Sequence, residues 1–101
     1  GFEENGSNPA TFERAVELRP DHPGIRNNLA MLLLRQGDTE GAIRHFREAL
    51  RLVPDFANAH YFLGEALRLR GMPEQAALHK ETAIRINPRY EQENPDLWSV
   101  R

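Results

Sequence analysis

The sequence predicts an all-α fold, an α-α superhelix of antiparallel helix pairs, and three observations carry that prediction. Landmark residues recur at a constant step of 34: Pro20, Pro54 and Pro88; Ala15, Ala49 and Ala83; Leu18, Leu52 and Ile86. Residues 23–56 align without a gap on residues 57–90. Identities fall at Leu29/Leu63, Leu33/Leu67, Gly37/Gly71, Glu40/Glu74, Ala42/Ala76, His45/His79, Ala49/Ala83, Arg51/Arg85 and Pro54/Pro88. Within each unit the apolar residues sit at helical spacing, as in Leu29, Leu32 and Leu33 or Leu63, Ala66 and Leu67.

Each unit reads as helix, turn, helix. Asp21 and Asp55 are expected to cap a first helix by accepting from its free backbone N–H groups. Gly37 and Gly71 are expected to end it, because glycine adopts the left-handed conformation at little cost. Asp38 then caps the second helix of the first unit, and Pro73 opens that of the second, its fixed φ suiting a first helical turn. Ala42, Phe46, Ala49 and Leu50 form the inner stripe of this second helix. Pro54 and Pro88 stop it, since proline disfavours helix in the residue before it.

The organisation that follows has five parts. Residues 1–7 are a disordered N-terminal segment, and residues 8–22 a half repeat that supplies only a second helix, opened by Asn8-Pro9. Residues 23–56 and 57–90 are full units. Residues 91–101 are a terminal capping helix or tail, with Asn94-Pro95 as its start and Leu97 and Trp98 as its apolar face.

Composition narrows the function classes. Apolar residues make up 40% and charged residues 28%, the balance of an ordinary globular chain. The net charge of -2 gives no general attraction to nucleic acid. The longest apolar stretch, Leu29 to Leu34, is far short of the roughly 20 residues of a membrane span. No Cys is present, so disulfides and thiolate chemistry are excluded. The compartment is left open, with the cytoplasm favoured. The chain begins at Gly1 rather than Met, which reads as a piece of a longer or processed protein.

The pattern Leu29-Ala30, Leu33, Gly37, Ala42, Phe46, Ala49, Pro54, repeated as Leu63-Gly64, Leu67, Gly71, Ala76, Ala83, Pro88, resembles the tetratricopeptide repeat. Phe12, Ala15 and Pro20 extend it into the half unit, so the resemblance covers residues 8–90. There are departures. Lys80 stands at the position of Phe46, which predicts a looser contact or an exposed edge in the last unit. Arg26 and His60 stand where the family often carries Trp or another apolar residue, and Asn8 replaces the usual Ala. The resemblance implies a concave surface, lined by the first helices, that binds a protein or peptide partner.

On that surface the repeat places Gly24, Asn27, Met31 and Leu34 on one helical face, with Asn58, Tyr61, Glu65 and Arg68 one unit later. Asn28, Arg35 and Phe62 flank them. Asparagine can donate to and accept from a peptide backbone, and Met31, Tyr61 and Phe62 would supply contact area. The competing reading makes Met31 and Phe62 packing residues and the asparagines merely solvated. Some family members clamp a partner's C-terminal carboxylates with Lys, Asn and Arg on successive first helices. Asn28 matches one element, but Asn58 and Phe62 stand where that clamp needs cations, which argues against it. Another branch carries asparagine ladders beside a glycosyltransferase domain; Asn28 fits it and Phe62 breaks it.

Other clusters read blandly. Arg44, Arg47 and Arg51 make a basic stripe that could meet an acidic partner, yet a solvated outer face with Glu40 and Glu48 nearby is the expected role. His22, His45, His60 and His79 show no metal-ligand spacing, so no metal and no cofactor is expected. Ser occurs only at Ser7 and Ser99, and no catalytic set or phosphate loop is present, so an enzyme is not expected. The function read from the residues and the resemblance is therefore a protein-interaction scaffold. The alternatives are a homo-oligomerising module, dimerising through exposed solenoid ends, or the accessory part of a larger enzyme or secretion machine.

Overall fold

The computed structural model describes residues 9–93, and among these every regular element is helical. The helices are α1 (Pro9–Leu18), α2 (Pro23–Arg35), α3 (Thr39–Leu52), α4 (Ala57–Leu69), α5 (Pro73–Ile86) and α6 (Arg89–Glu93). Each packs on the next along the chain, most extensively within the pairs α2–α3 and α4–α5, and α2 also touches α4. First helices therefore line up beside first helices, as stacking of a 34-residue unit requires. The expectations for residues 1–7 and for a helix at Asn94-Pro95 lie outside the described residues. The first helix of a third unit nevertheless begins earlier, at Arg89, directly after Pro88.

The turns follow local chemistry. Gly37 and Gly71 carry φ of 90° and 80°. That left-handed step lets Gly37 N–H donate to Leu34 O at 3.1 Å and Asp38 N–H donate to Leu33 O at 2.9 Å. Gly71 and Met72 repeat this on Arg68 and Leu67, at 3.0 and 2.9 Å, so both first helices end in the same Schellman motif. Asp38 caps α3, its Oδ1 accepting from Gly41 N–H at 3.0 Å. Val53 and Asn87, each before a proline, are extended and terminate α3 and α5.

Two expected caps are corrected. α2 is capped by His22, whose Nδ1 accepts from Ile25 N–H at 3.1 Å, and not by Asp21. The N-cap residue of α4 is Phe56, which makes no side-chain cap bond, and not Asp55. The reason is the turn that follows each proline. His22 N–H bonds Arg19 O and Phe56 N–H bonds Val53 O, which holds each aspartate in the turn and delays the helix by one residue.

The core joins Leu29, Ala30, Leu33, Ala42, Phe46 and Ala49 to Ala59, Leu63, Ala66, Leu67 and Ala76, with Phe12 and Val16 of α1 packed against it. Lys80 is also corrected. It marks no loose edge: it is only 3% exposed, and its ammonium meets Glu65 Oε1 at 2.9 Å. Its alkyl stem occupies the place that Phe46 fills one unit earlier. Space for that stem comes from Gly64, where a Cβ would lie 2.6 Å from Lys80 Cγ and 2.9 Å from the Ala76 carbonyl oxygen.

A second device recurs at the repeat step, in residues with different chemistry. Arg26 donates through Nε to Pro20 O at 3.0 Å, and its Nη1 lies 3.2 Å from His45 Nδ1. One unit on, His60 Nε2 lies 2.8 Å from Pro54 O, and its Nδ1 lies 3.1 Å from His79 Nδ1. Each latch joins the corner of the preceding unit to the second helix of its own. A guanidinium can only donate, so His45 Nδ1 accepts and its proton rests on Nε2. A carbonyl can only accept, so His60 donates from Nε2, and the neutral pair requires His79 to donate from Nδ1.

Both latches disfavour added protons. Burial pushes the His45 imidazole pKa down, assisted by Arg26 and Arg44 and opposed by Glu13 and Asp38. Burial also lowers His79, assisted by His60 and Arg47.

Two measurements check this packing. Gly→Ala inside a helix usually stabilises, but Gly64→Ala should destabilise by about 1–3 kcal/mol, because one of the two clashing atoms is backbone. Thermal unfolding would show it as a lower Tm, and an unchanged or raised Tm would refute the close approach. For the latches, a histidine whose folded pKa lies below its unfolded value of about 6.5 stabilises fully above that pH. The contribution is lost as pH falls from there toward the folded value. Tm should drop between pH 7.5 and 5.5, and the double substitution His45→Gln, His79→Gln should flatten that drop.

Candidate functional site

The face shared by α2, α4 and α6 carries the residues expected to contact a partner, and packing divides them into two groups. Asn28, Arg35 and Arg68 are exposed. Met31, Leu34, Asn58, Phe62 and Glu65 are half-buried, and Met31, Leu34 and Phe62 pack on the core while keeping an outer edge. Asn27 and Tyr61 are buried, at 5% and 1% exposure.

The buried pair changes the expected picture. Asn27 donates from Nδ2 to Asn58 Oδ1 at 2.8 Å and lies 3.8 Å from Met31 Sδ. Asn58 in turn donates from Nδ2 to Tyr90 Oη at 3.1 Å. A side-chain ladder thus crosses three successive first helices. Asn27 is a rung of that ladder rather than a solvated amide. Tyr61 is stacked on Tyr90, with centroids 5.0 Å apart, and meets the edge of Phe62 at 5.1 Å. The Lys80 ammonium sits 5.5 Å from the Tyr61 ring centroid. Tyr61 therefore offers no free contact area. Removing it, or Asn27, would therefore disturb packing and not contact with a partner alone.

Charge on this face is largely paired. Glu65 bonds both Arg68 and Lys80, and these two, Arg68 foremost, hold its carboxyl below the usual range against the opposing effect of burial. Arg35 has no ion-pair partner among the described residues. The same residues contain no group of three His, Asp or Glu side chains able to hold a metal ion, and no helix long and apolar enough to cross a membrane.

Sequence reasoning missed Tyr90, although it stands one repeat step beyond Phe56, where an aromatic is already present. It also missed the His60–His79 contact. The spacing test looked along single helices, whereas these rings, 5.3 Å apart, meet across two.

With this geometry in view, the comparisons with known proteins are consistent. The tetratricopeptide repeat model matches residues 10–52 and again residues 27–91. The TPR repeat-containing thioredoxin TTL4 of Arabidopsis thaliana is 36% identical over 70 residues, covering 69% of this chain and 10% of that protein. A peroxisomal targeting signal receptor of Eremothecium gossypii is 32% identical over 76 residues, covering 75% of this chain and 13% of that one. The chain thus spans only a small part of these relatives' length. Among solved structures, YrrB, a TPR protein with an unusual peptide-binding site, superposes with a TM-score of 0.78 at 25% identity, over 86% of this chain and 46% of that one. MamA MSR-1 C2 does so with a TM-score of 0.72 at 25% identity, over 79% and 46%. A matching family model over most of the chain, on a stack of helix pairs whose corners repeat at Pro20, Pro54 and Pro88, shows that the protein belongs to the tetratricopeptide repeat family.

Proposed function

We propose that the chain is a protein-interaction module and that an extended segment of a partner protein lies along the α2–α4–α6 face. The observation that carries this reading is the Asn27–Asn58–Tyr90 ladder. It locks three first helices in register and so presents the outer residues as one preorganised surface, which lowers the entropic cost of binding. Asn28 supplies an exposed amide able to pair with a peptide group in either direction. Phe62, Met31 and Leu34 supply apolar edges, and Arg35, Glu65 and Arg68 supply charge at the rim. The asparagine amides suit backbone recognition, which tolerates many sequences, while the apolar edges select side chains. The structural neighbour YrrB, a TPR protein with an unusual peptide-binding site, agrees with a partner of this class.

The test begins with peptides selected against the immobilised chain from a random linear library. Asn28→Ala combined with Phe62→Ala should weaken the selected peptides by about tenfold or more, since few contacts carry most of such an affinity. Titration calorimetry would measure this, with a thermal melt confirming that the variant is folded. Selected peptides that bind wild type and the folded variant equally would remove the face from consideration.

A further inference from the structure

A separate surface lies off the ladder face. Arg26 is about a third of a turn from the stripe that carries Asn27 and Met31. It borders a cavity of about 530 Å³ whose other walls are Arg44, His45, Arg47, Glu48 and Arg51 of α3. Four guanidinium groups gather here in a chain whose net charge is -2, so general basicity does not explain them. Repetition accounts for only one of them, Arg51, which recurs as Arg85. The positions one unit later are Leu78 for Arg44, Glu81 for Arg47 and His60 for Arg26, so the cluster is built once, on α2 and α3.

Its charges are only partly satisfied. Glu48 accepts from Arg51 Nε at 2.8 Å, and that bond holds the Glu48 carboxyl below its usual range. Arg26 spends Nε on Pro20 O and Nη1 on His45, and has no carboxylate in ion-pair contact among the described residues. Arg44 and Arg47 are exposed and have no ion-pair or hydrogen-bond partner among the described residues. Because His45 accepts at Nδ1, it turns an Nε2–H donor outward from that bond. Glu48 apart, the cluster offers donors without acceptors.

The spacing says what kind of anion it fits. Arg44, Arg47 and Arg51 advance by three and four residues along one helix, a row of about 10 Å at about 1.5 Å per residue. A single phosphoryl group would need its guanidinium groups to converge within about 3 Å of its oxygens. A row instead matches charges strung along a chain, and an extended strand presents same-side side chains about every 7 Å. We propose that this α2–α3 face is a second docking surface, which takes an extended acidic segment of a partner protein with Asp or Glu at alternate positions. It does not rest on the ladder-face reading.

The probe is a fluorescently labelled peptide of about eight residues alternating Glu and Gly, read by anisotropy in about 50 mM salt. Wild type should bind it saturably. Arg44→Ser with Arg47→Ser should weaken binding about tenfold, and raising salt to about 0.5 M should do the same to wild type. Arg85→Ser, at the repeat-equivalent of Arg51, should bind as wild type, and so should the folded Asn28→Ala, Phe62→Ala variant. All three arginines in these tests are exposed, so folding should survive, and a thermal melt checks it. No saturable binding by wild type, or equal binding by the Arg44, Arg47 variant, would overturn the proposal. So would a phosphoserine-Gly peptide binding more than about tenfold tighter than the Glu-Gly peptide, because that result would assign the cluster to phosphate.

Discussion

Close approach of helices at alanine is the constraint on which the rest of this structure depends. Ala30, Ala42, Ala49, Ala59, Ala66 and Ala83 are fully buried, and side chains this small let the helix backbones come close at those points. Leu29, Leu63, Leu67 and Phe46 fill the spaces around them and are themselves sealed from water. A pair such as α2–α3 cannot close this core alone, because its apolar stripe also faces α4. The distance between first helices is therefore set by small residues, and it is that distance that lets Asn27 reach Asn58 and Asn58 reach Tyr90. Residues that never touch the ladder decide whether it can form.

The fold was legible in the sequence because its determinants are local or periodic. Gly37 and Gly71 end helices through their own backbone freedom, Asp38 caps through its own carboxylate, and Pro54 and Pro88 act on the residue before them. None of these needs knowledge of a distant partner. Asp21 and Asp55 misled because the local rule was right in kind and off by one residue. The turn after each proline decided the register, and it shows no strong signature of its own.

The candidate site was less legible for a related reason. The repeat assigns a face to each position, but it does not say how far a neighbour will cover that face. Tyr61 lies on the expected stripe and is nevertheless buried, because Tyr90 of α6 stacks on it. Lys80 looked like a defect because its charge was weighed alone; Glu65, the room left by Gly64 and the Tyr61 ring make it a packing residue. Arg26 and His60 share a register position but no chemistry, and only the carbonyls of Pro20 and Pro54, with His45 and His79 across the pair, reveal their common role.

Those two latches also govern how the units communicate. In a linear array, stability divides into what each unit holds by itself and what each junction adds. Arg26 and His60 each hold a junction with one hand and their own unit with the other. A proton gained at His45 repels Arg26 and so loosens its hold on Pro20, a contact that His45 itself never makes. Acid therefore strikes first at a bond inside each unit, and reaches the junction only through the residue that bridges the two. A loss within one unit is thereby passed on to its junction with the unit before it.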